Sequence, residues 1–86
     1  MDRFQSLIAA LRMLAKQTNA VHERLVTAER QMVDYLGSVA GSAAQSGLRR
    51  LREVARNEAD EAKERPSESD FWISVKEYIE SKLSES

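Results

Sequence analysis

The sequence contains no cysteine, one proline, three glycines, one histidine and five aromatic residues among its 86 positions. The lack of cysteine excludes disulfide bonds, thiolate catalysis and metal sites that need cysteine ligands. A single histidine leaves little for Ser/His/Asp catalysis or for histidine-rich metal sites. These shortages predict a non-enzymatic protein without cofactor or metal, and a reducing compartment, the cytoplasm, is the default expectation.

The composition that remains is typical of helices. Hydrophobic residues make up 42% and charged residues 31% of the chain, and the net charge is −1. We therefore expect a single all-α domain over residues 1–86, with no overall field that would attract nucleic acid or an anionic membrane. No apolar run approaches the roughly 20 residues that a membrane span needs. Arg3, Arg12 and Lys16 precede the first acid after Asp2, as in surface-seeking helices, but the same pattern continues into acidic sequence and we expect no membrane binding.

A heptad pattern dominates the N-terminal half of the sequence. From Phe4 to Tyr35 apolar residues recur at alternating spacings of three and four, without an internal glycine or proline. This predicts one long coiled-coil-like helix over about residues 2–36, whose seam must be covered by another helix. Because the chain is short, we expect a homodimer, with the bundle completed on oligomerisation. The predicted oligomer interface is Phe4, Leu7, Ile8, Leu11, Leu14, Val21, Leu25, Met32 and Tyr35.

All three glycines lie in the segment 37–47, which allows two interpretations. Gly and Ser favour a loop, so a turn over about residues 37–42 is the preferred interpretation. The alternative is a helix of small residues, with Gly37, Gly41 and Ala44 on one face, that permits close helix contact.

Two shorter helices are predicted to fold back on the first. One spans about residues 43–65 and is ended by Pro66, and the other spans about 68–83, before a frayed tail at 84–86. Ser67 and Asp70 resemble a helix start. The last helix carries an aromatic face that either anchors a protein partner or caps the chain's own core, and both interpretations stay open. The partner-binding candidates are Phe71, Trp72, Val75, Tyr78 and Ile79.

Three arginines form the one electrostatic signal. Arg49, Arg52 and Arg56 share a helical face and could contact a phosphate backbone, although Glu53 and Asp60 lie within reach. This is an alternative interpretation, a small dimeric nucleic-acid-binding regulator.

The leading hypothesis is a protein–protein interaction module, such as an adaptor, chaperone or inhibitor, that self-associates through the Phe4–Tyr35 seam and binds another protein. A third hypothesis is a monomeric three-helix module of a larger assembly. His22 lies on the shoulder of the seam, where a partly exposed structural histidine is the ordinary case.

Overall fold

A computed structural model describes residues 2–17, 21–39 and 41–85 of the chain. In these stretches the backbone forms four helices and no strand, which confirms the all-α prediction. The helices are α1 (Arg3–Ala15), α2 (Val21–Gly37), α3 (Gly41–Glu61) and α4 (Pro66–Ser84). Residues 18–20, 40 and 86 belong to the predicted first helix, turn and tail, and they lie outside the described residues.

The heptad segment forms a hairpin of two helices, whereas the sequence predicts one helix over residues 2–36. The start of α1 meets the end of α2: the guanidinium of Arg3 donates to the carbonyl of Ser38 at 3.1 Å. Close by, the rings of Phe4 and Tyr35 pack edge to face with their centroids 6.1 Å apart. The two helices are therefore antiparallel neighbours.

The heptad pattern fits this hairpin because periodicity defines which face of a helix is apolar and not whether the chain continues straight. When the chain reverses, the apolar faces of both halves can still point into one core. Between Leu14 and Val21 the one seam position is Thr18, which is polar, so interrupting the seam there gives up little apolar burial. At the other end of α1, the Asp2 carboxylate accepts from the Gln5 amide at 2.8 Å and caps the helix.

The connection between α2 and α3 is shorter than the predicted turn over residues 37–42. Helix α2 continues through Gly37 and α3 begins at Gly41. The amide and the hydroxyl of Ser38 both donate to the carbonyl of Tyr35, at 3.0 and 2.7 Å, and so satisfy a carbonyl at the end of α2.

Gly47 lies inside α3 at a close approach to α2. A Cβ built there would lie 2.8 Å from the hydroxyl oxygen of Tyr35 and 3.0 Å from its Cε1. At Gly37 and Gly41 a Cβ would meet nothing within 4 Å. The small-residue interpretation is therefore wrong at Gly37 and Gly41, and the close contact occurs at Gly47, which it did not include. The turn interpretation applies to the residues just after Gly37.

Helix α3 ends at Glu61, earlier than the predicted residue 65. A tight connection follows, in which the Arg65 amide donates to the carbonyl of Ala62 at 2.8 Å. Pro66 opens α4, where its fixed φ suits the first turn, and it disfavours helical backbone at the residue before it. Ser67 does not cap this helix, because it already lies within the first turn of α4.

Helix α4 is the centre of the bundle and packs against each of the other three helices. Four of its side chains are almost completely buried, among them the aromatic rings of Phe71 and Trp72, and such rings each bury a large apolar area. The buried core consists of Phe4, Leu7, Ile8, Leu11, Ala15, Ala28, Met32, Leu48, Leu51, Ala55, Phe71, Trp72, Val75 and Ile79.

Candidate functional site

The predicted oligomer seam is occupied largely within its own chain. Leu14, Leu25 and Tyr35 pack half-buried against the core, and Val21 is half exposed. The remaining five seam residues are buried in the core itself: Phe4, Leu7, Ile8, Leu11 and Met32. Self-association through this seam stays a prediction, and it would require the α1–α2 hairpin to come away from α4.

The predicted partner-binding residues of α4 form the middle of the core. Phe71, Trp72, Val75 and Ile79 are buried, and Tyr78 is half-buried against them. The rings of Phe71 and Trp72 meet edge to face, 5.4 Å apart at 81°. Of the two open interpretations, the structure therefore supports the one in which these side chains complete the chain's own core.

Arg24 is a buried arginine that lies outside the predicted seam. Its side chain is only 2% exposed, and its Nη1 donates to the carbonyls of Ala15, at 2.9 Å, and of Gln17. Its Nη2 donates to the carbonyl of Ser67 at 2.6 Å and to the hydroxyl of the same residue at 3.1 Å. The guanidinium also lies over the ring of Phe71, 5.1 Å from its centroid. One side chain thus joins the end of α1, the start of α2 and the first turn of α4.

Backbone carbonyls balance the charge of Arg24, since no carboxylate of the described residues forms a salt bridge with it. The last carbonyls of an α-helix lack the regular intrahelical amide partner and carry partial negative charge, and Arg24 donates to the last one of α1, that of Ala15. Nε alone has no hydrogen-bond partner in the described structure. The sequence signal that would have found Arg24 is its spacing, since Arg24, Ala28 and Met32 follow one another at intervals of four.

Two of the predicted nucleic-acid residues line a cleft between α3 and α4. Arg52 and Arg56 meet Lys76 of α4 there, together with Glu53 and Glu80, around a volume of about 250 Å³. We call this the cationic cleft. Arg56 lies 3.9 Å from Glu53, and no other salt bridge of the cleft occurs among the described residues. Arg49 is exposed but does not line the cleft.

A larger open groove of about 570 Å³ continues from the cationic cleft towards the start of α4. We call it the α3/α4 groove. Ile73, which is 43% exposed, is its one large apolar side chain among the described residues. Both signs of charge surround it. The lining residues are Glu53, Arg56, Asn57, Ala59, Asp60, Lys63, Ser69 and Ile73.

Helix α2 exposes three valines, Val21 and two that lie seven residues apart outside the core. Val26 is 46% and Val33 is 52% exposed, and Glu29 and Arg30 between them are exposed as well. We call these four residues the α2 outer face. Glu29 also lines a small cleft of about 60 Å³ between α2 and α4, next to Tyr78.

The described structure shows no arrangement of side chains for histidine-based catalysis, metal binding or membrane insertion. His22 is exposed near the start of α2. Residues 2–17, 21–39 and 41–85 hold no group of three or more histidine, aspartate or glutamate side chains placed to bind a metal ion. Within the described helices, none combines the length and the hydropathy that crossing a membrane requires.

Comparison with models of protein families, with curated proteins and with solved structures finds no match to this chain.

Proposed function

We propose that this chain is a non-enzymatic helical module that binds another protein through the α3/α4 groove. The observation that supports this most is the groove itself, an open surface of about 570 Å³ that is larger than the cationic cleft. The apolar seam that first indicated an interaction surface is taken up by the core, so a partner meets the outside of a closed bundle.

The chemistry of the groove suits a protein partner better than a small substrate. Half-exposed Ile73 forms an apolar centre, and the acids Glu53 and Asp60 and the bases Arg56 and Lys63 surround it. Protein interfaces commonly combine an apolar centre with a polar rim. Because both signs of charge are present, the matching surface carries both signs too, around an apolar residue that covers Ile73.

Affinity capture with the full chain tests the proposal. The intact chain, Ile73→Asp and Met13→Asp are immobilised and exposed to an extract of the native host. Met13 is the matched control, because it is 70% exposed and lies on α1, away from the groove. We expect a protein that binds the intact chain and the control but not Ile73→Asp, and that binds again after purification. If all captured proteins bind the three chains equally, the groove is not the binding surface.

Nucleic-acid binding through the cationic cleft is the second candidate, because Lys76 adds a third cation to Arg52 and Arg56. A phosphate backbone would sit between these side chains, and its affinity would fall with salt. Glu53 and Glu80 weaken the attraction. The test is retention of a DNA duplex and of a single-stranded RNA at low salt, by the intact chain and by Arg52→Glu/Lys76→Glu. Equal retention by both chains, or none at low salt, would contradict this function.

A further inference from the structure

The α2 outer face carries an arrangement that is complementary to itself. Val26 and Val33 are seven residues apart, so they lie within about 20° of each other around the helix axis. Glu29 and Arg30 lie about 50° to either side of this valine line, at nearly the same height. At the level of Glu29 and Arg30 the face therefore has an apolar middle, an acid on one flank and a base on the other. The exposed acids Glu23 and Asp34 lie farther round the helix on the Arg30 side.

We propose that the α2 outer face docks a second copy of this chain, with the two α2 helices parallel and in register. A two-fold axis along the helices places the Glu29 flank of one copy against the Arg30 flank of the other, twice, with Val26 on Val26 and Val33 on Val33. An antiparallel pair would instead bring Glu29 next to Glu29 and Arg30 next to Arg30. The pairing of Glu29 with Arg30 therefore favours the parallel orientation of the two α2 helices.

The bundle itself leaves these four side chains free for such a contact. Neither Glu29 nor Arg30 forms a salt bridge within the described structure, and the two valines lie outside the core. Gly37 extends the face towards its C-terminal end, and a Cβ there would meet nothing within 4 Å. The Gly37 end of the face is therefore open to a second helix.

The contact is small, and the dimer is correspondingly weak. Two helices of 17 residues bury less than the roughly 800 Å² per partner that is typical of stable complexes. We expect a dissociation constant on the order of 0.1 mM. The α2 outer face is separate from the α3/α4 groove. The proposed dimer and the proposed binding of a protein partner can therefore be tested independently.

Disulfide trapping tests the register, because the natural chain has no cysteine to interfere. In a parallel dimer the two copies of residue 33 face each other at a distance that a disulfide can bridge, whereas in an antiparallel dimer residue 33 meets residue 26. We expect Val33→Cys to form covalent dimers under mild oxidation and the exposed control Ile73→Cys to form few. Equal cross-linking of both variants would overturn the proposal.

Charge reversal tests the flanks, with mass measured by sedimentation equilibrium and helicity by circular dichroism. We expect Glu29→Arg and Arg30→Glu each to weaken the dimer about tenfold, since each removes two ion pairs and creates two repulsions. The double exchange Glu29→Arg/Arg30→Glu restores it. Val26→Asp, with helicity unchanged, gives a monomer, whereas Ile73→Asp leaves the dimer intact. A chain that stays monomeric at millimolar concentration, or a dimer that Val26→Asp does not affect, overturns the proposal.

Discussion

The guanidinium of Arg24 donates to both the carbonyl and the hydroxyl oxygen of Ser67, which lies 43 residues later in the chain. The same group holds the carbonyl of Ala15 at 2.9 Å. A buried charge is tolerable only where polar partners replace water, and here the partners are mostly backbone oxygens. Arg24 therefore fastens the α1–α2 hairpin to the start of α4.

Replacing Arg24 with methionine should destabilise the protein by about 3 kcal/mol. The change keeps much of the apolar stem but removes the guanidinium that donates to the carbonyls of Ala15 and Ser67. Urea unfolding measures the effect. Arg30→Met is the matched control on the same helix, where the side chain is exposed, and it should stay within about 0.5 kcal/mol of the parent. Equal stability of the two variants would show that the Arg24 bonds contribute nothing net.

Adding a methyl group at Gly47 should destabilise the protein by about 1 kcal/mol. Alanine is the better helix former, but its Cβ would lie 2.8 Å from the Tyr35 hydroxyl and 3.0 Å from its Cε1, so the packed ring of Tyr35 would have to shift. Gly37→Ala, where the space is open, should not destabilise. Tyr35→Phe removes the nearest atom, so in that background the cost of Gly47→Ala should fall. A cost that stays the same would exclude the hydroxyl as its cause.

Truncating Leu11 to alanine should cost about 3 kcal/mol, because Leu11 is completely buried in the core. Met13→Ala, two residues away and 70% exposed, should change the stability by less than about 0.5 kcal/mol. Both are measured by urea unfolding in the low micromolar range. If a second copy covered Leu11, the unfolding midpoint would rise with protein concentration, whereas burial within one chain predicts no such dependence.

Two neighbouring arginines of α3 should differ in their contribution to stability. The guanidinium of Arg50 lies over the ring of Phe4, 4.1 Å from its centroid, while Arg49 makes no ring contact or salt bridge in the described structure. Arg50→Ala should cost about 0.5–1 kcal/mol and Arg49→Ala less. In a Phe4→Leu background the difference between the two arginine variants should disappear. Thermal unfolding of the six chains provides this comparison.

The periodicity of apolar residues predicts much of this fold, because the apolar face of each helix is determined by residues close together in the sequence. The spacing of Phe4, Leu7 and Leu11 identifies residues that the structure buries. The aromatic face of α4 is likewise buried in the core. The reversal after α1 is not predictable in this way, because a heptad is equally satisfied by a straight helix and by a hairpin whose two halves face one core.

The candidate surfaces depend on contacts between distant parts of the chain, which explains why the sequence reveals only part of them. Arg52 and Arg56 lie one turn apart and are visible as a cationic pair, but Lys76 joins them only because α3 and α4 pack side by side. The contacts of Arg24 likewise cannot be seen in a local pattern, since its partners at Ser67 lie on another helix. A local sequence pattern identifies one face of one helix, whereas a cleft forms only where the faces of two helices meet.

The central position of α4 has a consequence for synthesis. This helix follows α1, α2 and α3 in the chain, yet it contributes Phe71, Trp72, Val75 and Ile79 to the middle of the core. While a ribosome is still translating α4, the apolar faces of the first three helices lack the cover that α4 provides and are open to aggregation or to chaperones. The bundle can therefore close only after α4 has left the exit tunnel.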